Sequence, residues 1–554
     1  MRKTLITLGL CFAFSAFTFA QETDVRYEIN QYGQQVRTVP AEVTIRNGVP
    51  TIANRNEGFR FWFDTRVQID GAWYHNLQNG PITGDDGRIA GFRDPDARGH
   101  MPGGLSLRRV RFAIKAQIDE NWYGEIDFNA ANGEFGLQDA YIEFNGFSDW
   151  RFRLGNFKED FSMEYTTSSR FVTMMERPMA ITAFNFTRRL GFQVQYHPQS
   201  NPWLRVTGGV TFQEIDDIIL RSNIVGNMQE RARGSGPNFT GKIVLMPWAT
   251  NPNQGLHFGY NIQHRSGTFF DDDQAITGVA AANSRGWHSM RVSSRNATAV
   301  HRLSFLDTRW INGVRSNLFQ GFELAGFWNG WRFGSELIIH DMRMDRDLFN
   351  FPTFTQANAD AATAWAASNH PSVVGTEWAG QTFTPERLTD IYAQDKRFWG
   401  FYAYVGKLLF GGRQRYDLSQ SEFTQPTRGR SWGDIEVKFR YDFLNLNNNH
   451  RDRPIHSIFT AHDAVTGQAG GSAHNFTLGV SYWISSSMRF TVNYTITQND
   501  RFSNAGANQG ARRNVAVGRD SEGYFTGNPF DVDPARGPTG VNFNTLQARI
   551  ELWF

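Results

Sequence analysis

Along Phe59 to Trp73 every second residue is apolar or small: Phe59, Phe61, Phe63, Thr65, Val67, Ile69, Gly71 and Trp73. The residues between them include Arg60, Trp62, Asp64, Arg66, Gln68 and Asp70. A period of two sustained this long predicts a β-strand with one oily and one wet face, longer than the ~5–6 residues usual in globular proteins. The pattern recurs at 105–119, 122–130, 137–145, 150–158, 188–197, 203–213, 238–248, 255–265, 318–328, 331–341, 397–409, 432–445, 473–484, 487–498 and 543–554. With the first, sixteen strands are predicted, and a weaker stretch at 302–311 is left outside the count.

The connections set the architecture. The long links 74–104, 159–187, 214–237, 266–317, 342–396, 446–472 and 499–542 all follow odd-numbered strands, whereas links after even-numbered strands are mostly a few residues. One link breaks the rule: 410–431 follows an even strand and is long, which means either an unusual periplasmic segment or an error in the strand count. A soluble sandwich has no reason to sort loops by parity. An outer-membrane barrel does, with short periplasmic turns and long external loops. The predicted fold is therefore all-β: a transmembrane antiparallel β-barrel of about 16 strands. The link stretch 358–368, NADAATAWAAS, predicts a short helix in an external loop.

The first residues fit export. Arg2 and Lys3 precede an apolar run from Leu5 to Phe19, and Thr18-Phe19-Ala20 resembles a cleavage site, so 1–20 reads as a signal peptide. Residues 21–57 are polar and read as a periplasmic extension of low order, and 58–554 as the barrel. Cys11 is the only cysteine and lies in the signal, so the mature chain has no disulfide, thiolate or cysteine-held metal. Without Arg2 and Lys3 the 56 basic residues become 54, equal to the 54 acidic ones, and nothing draws the chain to nucleic acid. Past the signal no run reaches the ~18 apolar residues of a spanning helix. Aromatics are nevertheless plentiful, with 48 Phe, 16 Trp and 16 Tyr beside 53 Gly, as a barrel facing lipid requires. The closing TLQARIELWF alternates and ends on Phe554, the aromatic signal by which the barrel assembly machinery takes up such chains.

Alternation also assigns the lumen. On strand two, Val110, Phe112, Ile114, Ala116 and Ile118 face lipid, leaving Arg109, Arg111, Lys115, Gln117 and Asp119 inward. Strand five points Arg151 and Arg153 inward, and strand one adds Arg60 and Arg66. Such a row concentrates anions, and Arg matches phosphate bidentately. Glu125, Asp127, Asp139 and Glu143 on the two strands between could neutralise much of it through cross-strand pairs. Only Lys115, Lys158, Lys242, Lys396, Lys407 and Lys438 remain in the mature chain, with no lysine cluster among them. Trp122, Trp150, Trp331 and Trp483 lie near strand ends, as in interfacial girdles, whereas inward Trp62, Tyr123 and Tyr141 read as three scattered rings. Asp271-Asp272-Asp273 lacks the spacing of a calcium loop and reads as a solvated tip. No metal, cofactor or enzymatic motif is found.

Over nearly all of 58–554 the chain resembles the phosphate-selective porin O and P family. The stretches that carry the likeness are SLRRVRFAIKAQIDENWYGEIDFN, LQDAYIEF, RFRLGNFKEDFSMEYTTSSRFVTMMER, LSFLDTRW, FWGFYAYVGKLLFGGRQRY and HNFTLGVSYWISSSMRFTVNYTITQND. The resemblance implies a homotrimeric outer-membrane channel in lipid that passes small anions by diffusion, phosphate or polyphosphate in some members. It also implies that the third external link, 159–187, folds inward and narrows the pore. That link brings Arg170 and Arg177, with Lys158 before it and Arg188 and Arg189 after it. These arginines either meet the solute or hold the loop to the wall. A loop-plugged barrel that displays its external loops to a partner is the alternative function.

Overall fold

The computed structural model describes residues 26–29, 35–38, 41–46, 49–54, 59–75, 103–133, 135–184, 186–212, 236–248, 250–266, 290–295, 298, 300, 304–348, 354–367, 379–448, 468–499 and 543–554. The signal segment 1–20 and Asp271–Asp273 lie outside the described residues.

Four short strands come first: β1 (Arg26–Ile29), β2 (Gln35–Thr38), β3 (Ala41–Arg46) and β4 (Val49–Asn54). The barrel then begins with β5 (Phe59–His75), β6 (Gly104–Ile118), β7 (Trp122–Asn129), β8 (Gly136–Phe147) and β9 (Trp150–Lys158). After the helical turns α1 (Met163–Thr166) and α2 (Met179–Ala183) it continues with β10 (Arg188–Tyr196), β11 (Leu204–Thr211), β12 (Asn238–Leu245) and β13 (Gln254–Ser266). A hairpin of β14 (Met290–Arg295) and β15 (Ser304–Ile311) precedes β16 (Val314–Trp328) and β17 (Trp331–Met344). Helices α3 (Gln356–Ala367) and α4 (Pro385–Tyr392) lead to β18 (Lys396–Leu408). A second small hairpin, β19 (Tyr416–Asp417) and β20 (Glu422–Phe423), precedes β21 (Asp434–Asn448), β22 (Gln468–Trp483), β23 (Met488–Asn499) and β24 (Phe543–Trp553).

Sixteen of these strands, β5–β13, β16–β18 and β21–β24, pair antiparallel with their sequence neighbours and close into a barrel. They are the sixteen that alternation predicts, and α3 takes up 358–367 of the helix predicted at 358–368, residue 368 lying outside the described residues. The excluded stretch near 302–311 is β15, paired with β14 away from the barrel ladder. Closure joins β24 to β5, from Asn544 opposite His75 to Trp553 opposite Arg66. Phe554 completes the seam: its N–H donates to the Thr65 carbonyl at 3.1 Å, and the Thr65 N–H donates back at 2.7 Å.

Below this point β5 would present a bare edge, because β24 has ended. The edge is taken by β4, with Thr51 opposite Trp62 and Ala53 opposite Arg60. The span 21–57, expected to have little order, therefore carries two hairpins, one of which extends the barrel sheet. A lipid-facing sheet cannot leave backbone N–H and C=O unpaired, which is the reason a closed ladder is needed here.

The two faces follow the two solvents. Leu478, Val480, Phe490, Ile550 and Leu552 are exposed outward, whereas Thr477, Ser481, Arg489, Arg549 and Glu551 beside them are buried in the lumen. Trp122, Trp150 and Trp331 face out as expected of girdle residues. Trp483 does not: it is buried inside and its indole N–H donates to Glu436 at 3.3 Å. Strand parity already placed it there, since Tyr482 takes the outward position.

Leu324 stands on the outward row of β16 between Phe322 and Trp328. Leu324→Arg is expected to lower the unfolding free energy in lipid vesicles by roughly 2–4 kcal/mol, read from the denaturant midpoint.

Candidate functional site

The lumen is divided by the link 159–187, which leaves β9 and crosses to the far wall. Its backbone makes no ladder, so each polar group needs a partner inside the barrel. The Met163 N–H donates to Glu323 at 2.6 Å and the Glu164 N–H to Glu336 at 2.8 Å. The Met179 N–H reaches both oxygens of Asp442, at 3.1 and 2.9 Å. Carbonyls of the same loop accept from cations of the far wall. Arg440 donates to Glu176 O at 2.8 Å, Arg549 to Met175 O at 2.6 Å, and Lys438 to Thr173 O. Arg332 and Arg489 point at Phe171 O and Val172 O, each at 3.5 Å.

The arginines among these are also paired with acids, Arg549 with Asp70 at 2.6 Å and Arg332 with Glu436 at 2.8 Å. Beside this polar seam the loop packs Phe161, Met179 and Phe184 against Phe319, Phe398, Tyr402 and Leu444. Val292, Leu306 and Ile311 of the β14–β15 hairpin join the same cluster. One half of the lumen is thus a hydrophobic core, which alternation alone does not announce.

The other half is a chamber of ≈ 500 Å³ against β5–β11. Nine of the twelve cations singled out from sequence line it: Arg66, Arg111, Lys115, Arg151, Arg153, Lys158, Arg170, Arg177 and Arg188. Three do not. Arg60 donates to Gln117 at 3.1 Å, Arg109 to Gln68 at 2.8 Å, and Arg189 to the Phe212 carbonyl at 3.1 Å.

Two cations escaped the sequence reading. Arg108 turns inward to Glu176 at 2.6 Å because a bulge opposite Gln68 and Ile69 resets the parity of β6. Arg205, an inward residue of β11, is paired with Asp160 and lines the chamber. Its place in LRVTGGVT was readable from alternation.

Most chamber cations have an acid beside them. Lys115 and Arg170 share one oxygen of Asp64, at 2.8 and 2.7 Å. Arg111 meets Asp127 at 3.3 Å, Arg153 meets Glu143 at 2.6 Å, and Arg188 meets Asp139 at 2.8 Å. Glu125, Asp127 and Asp139 bring carboxylate oxygens within 4.8 Å of one another. Each is turned to a cation, so they read as counter-charges.

Four cations differ. Among the described residues, Arg66, Arg151, Lys158 and Arg177 form no ion pair with a carboxylate. Arg66 donates to the Ser169 hydroxyl. Lys158 holds Tyr165 O and Thr166 O at 3.3 and 3.0 Å, and Arg177 holds the carbonyls of Glu164, Tyr165 and Thr167 at 2.8–3.2 Å.

The long even link is a periplasmic segment, and the strand count stands. It folds up into the barrel. Asp434 anchors its base by accepting from the N–H of Phe410 at 3.0 Å, Gly412 at 2.7 Å and Gly429 at 3.0 Å. Its tip reaches β10 and β13, where Ser419 O accepts from Gln195 at 2.9 Å and the Tyr416 hydroxyl lies 2.5 Å from His257. Gln420 and Glu422 of this segment line the chamber.

A sixteen-strand antiparallel barrel with long external loops, one of them folded inward over a charged lumen, defines an outer-membrane porin. The chain belongs to the phosphate-selective porin O and P family, whose model matches residues 77–295 and 353–519. Porin O of Pseudomonas aeruginosa is 22% identical over 455 residues, covering 77% of this chain and 83% of that protein. An uncharacterized protein of Caulobacter vibrioides is 22% identical over 347 residues, 62% of this chain and 56% of its own length. Among solved structures, the anion-selective porin from Comamonas acidovorans matches 90% of this chain and 100% of its own at 11% identity and a TM-score of 0.44. The outer-membrane channel DcaP of Acinetobacter baumannii matches 90% and 99%, at 10% identity and a TM-score of 0.39. The family and fold describe an outer-membrane channel, not an enzyme.

Arg549 joins Asp70, Glu176 and the Met175 carbonyl in one buried knot. Arg549→Met leaves those acceptors without their cation, and a loss of about 3–5 kcal/mol is expected, seen as a lower unfolding midpoint of the barrel in detergent.

Proposed function

We propose that this porin passes small anions, of the phosphate or polyphosphate kind, along with other small hydrophilic solutes, and that the chamber is their path. The observation that carries the reading is the charge of its wall: ten cationic side chains against six carboxylates. Four of the ten are matched to no carboxylate: Arg66, Lys158 and Arg177 donate to neutral oxygens, and Arg151 lines the wall without an ion pair. An anion moving between them would exchange part of its hydration for several shallow contacts, which permits flux where one deep site would stop it.

Residues 159–187 act in this reading as the constriction, and the signal 1–20 is removed on export. Phe554 serves the barrel assembly machinery, and the barrel stands in the membrane as one of three copies, as the family resemblance implies. A second reading keeps the barrel but not the flux. The apolar half of the lumen, filled by the inward loop and the β14–β15 hairpin, favours a plugged barrel that presents its external loops to a partner. That reading predicts no conductance.

Reversal potential across a planar bilayer in a KCl gradient separates the two. Anion preference is expected for the unaltered protein, and Arg66→Gln with Arg151→Gln is expected to reduce the chloride-to-potassium permeability ratio by about tenfold. A cation preference, or no current, would refute the anion reading. The preference should also depend on pH. Burial away from water pushes the Glu422 carboxyl up to about 7, against the pull of Lys158. The group is neutral below that value and negative above it, so anion preference is expected to be stronger near pH ~6 than near pH ~8. Glu422→Gln is expected to remove the difference.

A further inference from the structure

The inward rings Trp62, Tyr123 and Tyr141 are not scattered. Trp62 lies 6.0 Å from Tyr123, and Tyr123 lies 6.0 Å from Tyr141, centroid to centroid. Register explains the contact. Trp62 is opposite Lys115, Lys115 opposite Glu125, and Glu125 opposite Tyr141, so one cross-strand row holds ring, cation, carboxylate, ring. Tyr123 fills the gap from the adjacent row, opposite Gln117. The row runs on through Gly155 and Gly191, so the next two positions along it add no side chain.

The polar groups of this wall are ordered around the rings. Both phenol hydroxyls donate to the same oxygen of Glu125, at 2.7 and 3.0 Å. Its other oxygen faces Lys115 at 3.5 Å. The Arg153 guanidinium lies 4.5 Å over the Tyr141 ring and is tied to Glu143. Two residues along β5 from Trp62, Asp64 takes both Lys115 and Arg170.

A wall built only to pass inorganic phosphate has no use for three adjoining rings, since a hydrated oxyanion gains nothing from an apolar face. A solute that has both an apolar ring face and a phosphoryl group fits all three kinds of side chain. Sugar C–H faces pack on aromatic rings, sugar hydroxyls donate to carboxylates, and phosphoryl oxygens accept from Lys and Arg. We infer that the Trp62–Tyr123–Tyr141 wall is a binding track for sugar phosphates, with the ring on the aromatics, the hydroxyls toward Glu125, and the phosphoryl group toward Lys115 and Arg170. The inference rests on the anion path proposed above and names its solute class.

The test is block of single-channel KCl current by glucose 6-phosphate, inorganic phosphate and glucose, each added at matched ionic strength. With the unaltered protein, glucose 6-phosphate is expected to block at about tenfold lower concentration than inorganic phosphate, the factor one ring contact supplies. Tyr141→Leu, and separately Trp62→Leu, are expected to narrow that gap to less than about threefold. Equal block by the two anions in the unaltered protein overturns the track, as does a gap that survives both substitutions. Because the first comparison needs no variant, a substitution that fails to fold does not shield the proposal. Failure of the anion path itself shows differently: neither anion blocks, and the reversal potential shows no anion preference.

Discussion

The lumen is organised by the need to satisfy an irregular backbone inside a barrel. The loop 159–187 carries carbonyls and amides into a space where no ladder can pair them. The far wall answers with Arg332, Lys438, Arg440, Arg489 and Arg549 on one side and Glu323, Glu336 and Asp442 on the other. Such groups contribute little net stability, because their own desolvation offsets much of the attraction. Their effect is positional: they fix where the loop lies. A loop pinned to β16–β24 leaves its other flank, and the cations of β5–β11, facing water.

Two populations of arginine follow from this one constraint. Those of β17, β21, β23 and β24 are spent on loop carbonyls and buried acids. Arg66, Arg111, Arg151, Arg153 and Arg188 of β5, β6, β9 and β10 line the chamber, some neutralised across strands and some matched to no carboxylate. Counting arginines cannot separate the two groups. Which wall the loop docks against does.

Most of the fold was legible in the sequence, because lipid and water impose opposite demands on alternate residues of a strand. All sixteen strands and the parity of their links follow from that demand. Much of the chamber was legible for the same reason: Arg111, Lys115, Arg151 and Arg153 needed only the period of two. The misses have local causes. Arg108 was hidden by a bulge, which breaks the period. Arg205 and Trp483 obeyed the period and were overlooked. The inward Phe319, Phe398 and Leu444 gave no signal, since an apolar lumen residue makes sense only once Phe161 and Phe184 arrive from a distant loop. The entry of 410–431 was invisible likewise, as its partners Gln195 and His257 lie on strands far away in sequence. The aromatic wall was hidden because neighbours across strands lie far apart along the chain.

Bromide in place of chloride would test the division of the arginines most directly. Anomalous diffraction from crystals equilibrated in bromide is expected to place peaks beside Arg66, Arg151, Lys158 or Arg177, and none beside Arg440, Arg489 or Arg549. Bromide on the far-wall arginines, with the chamber cations bare, would contradict the account.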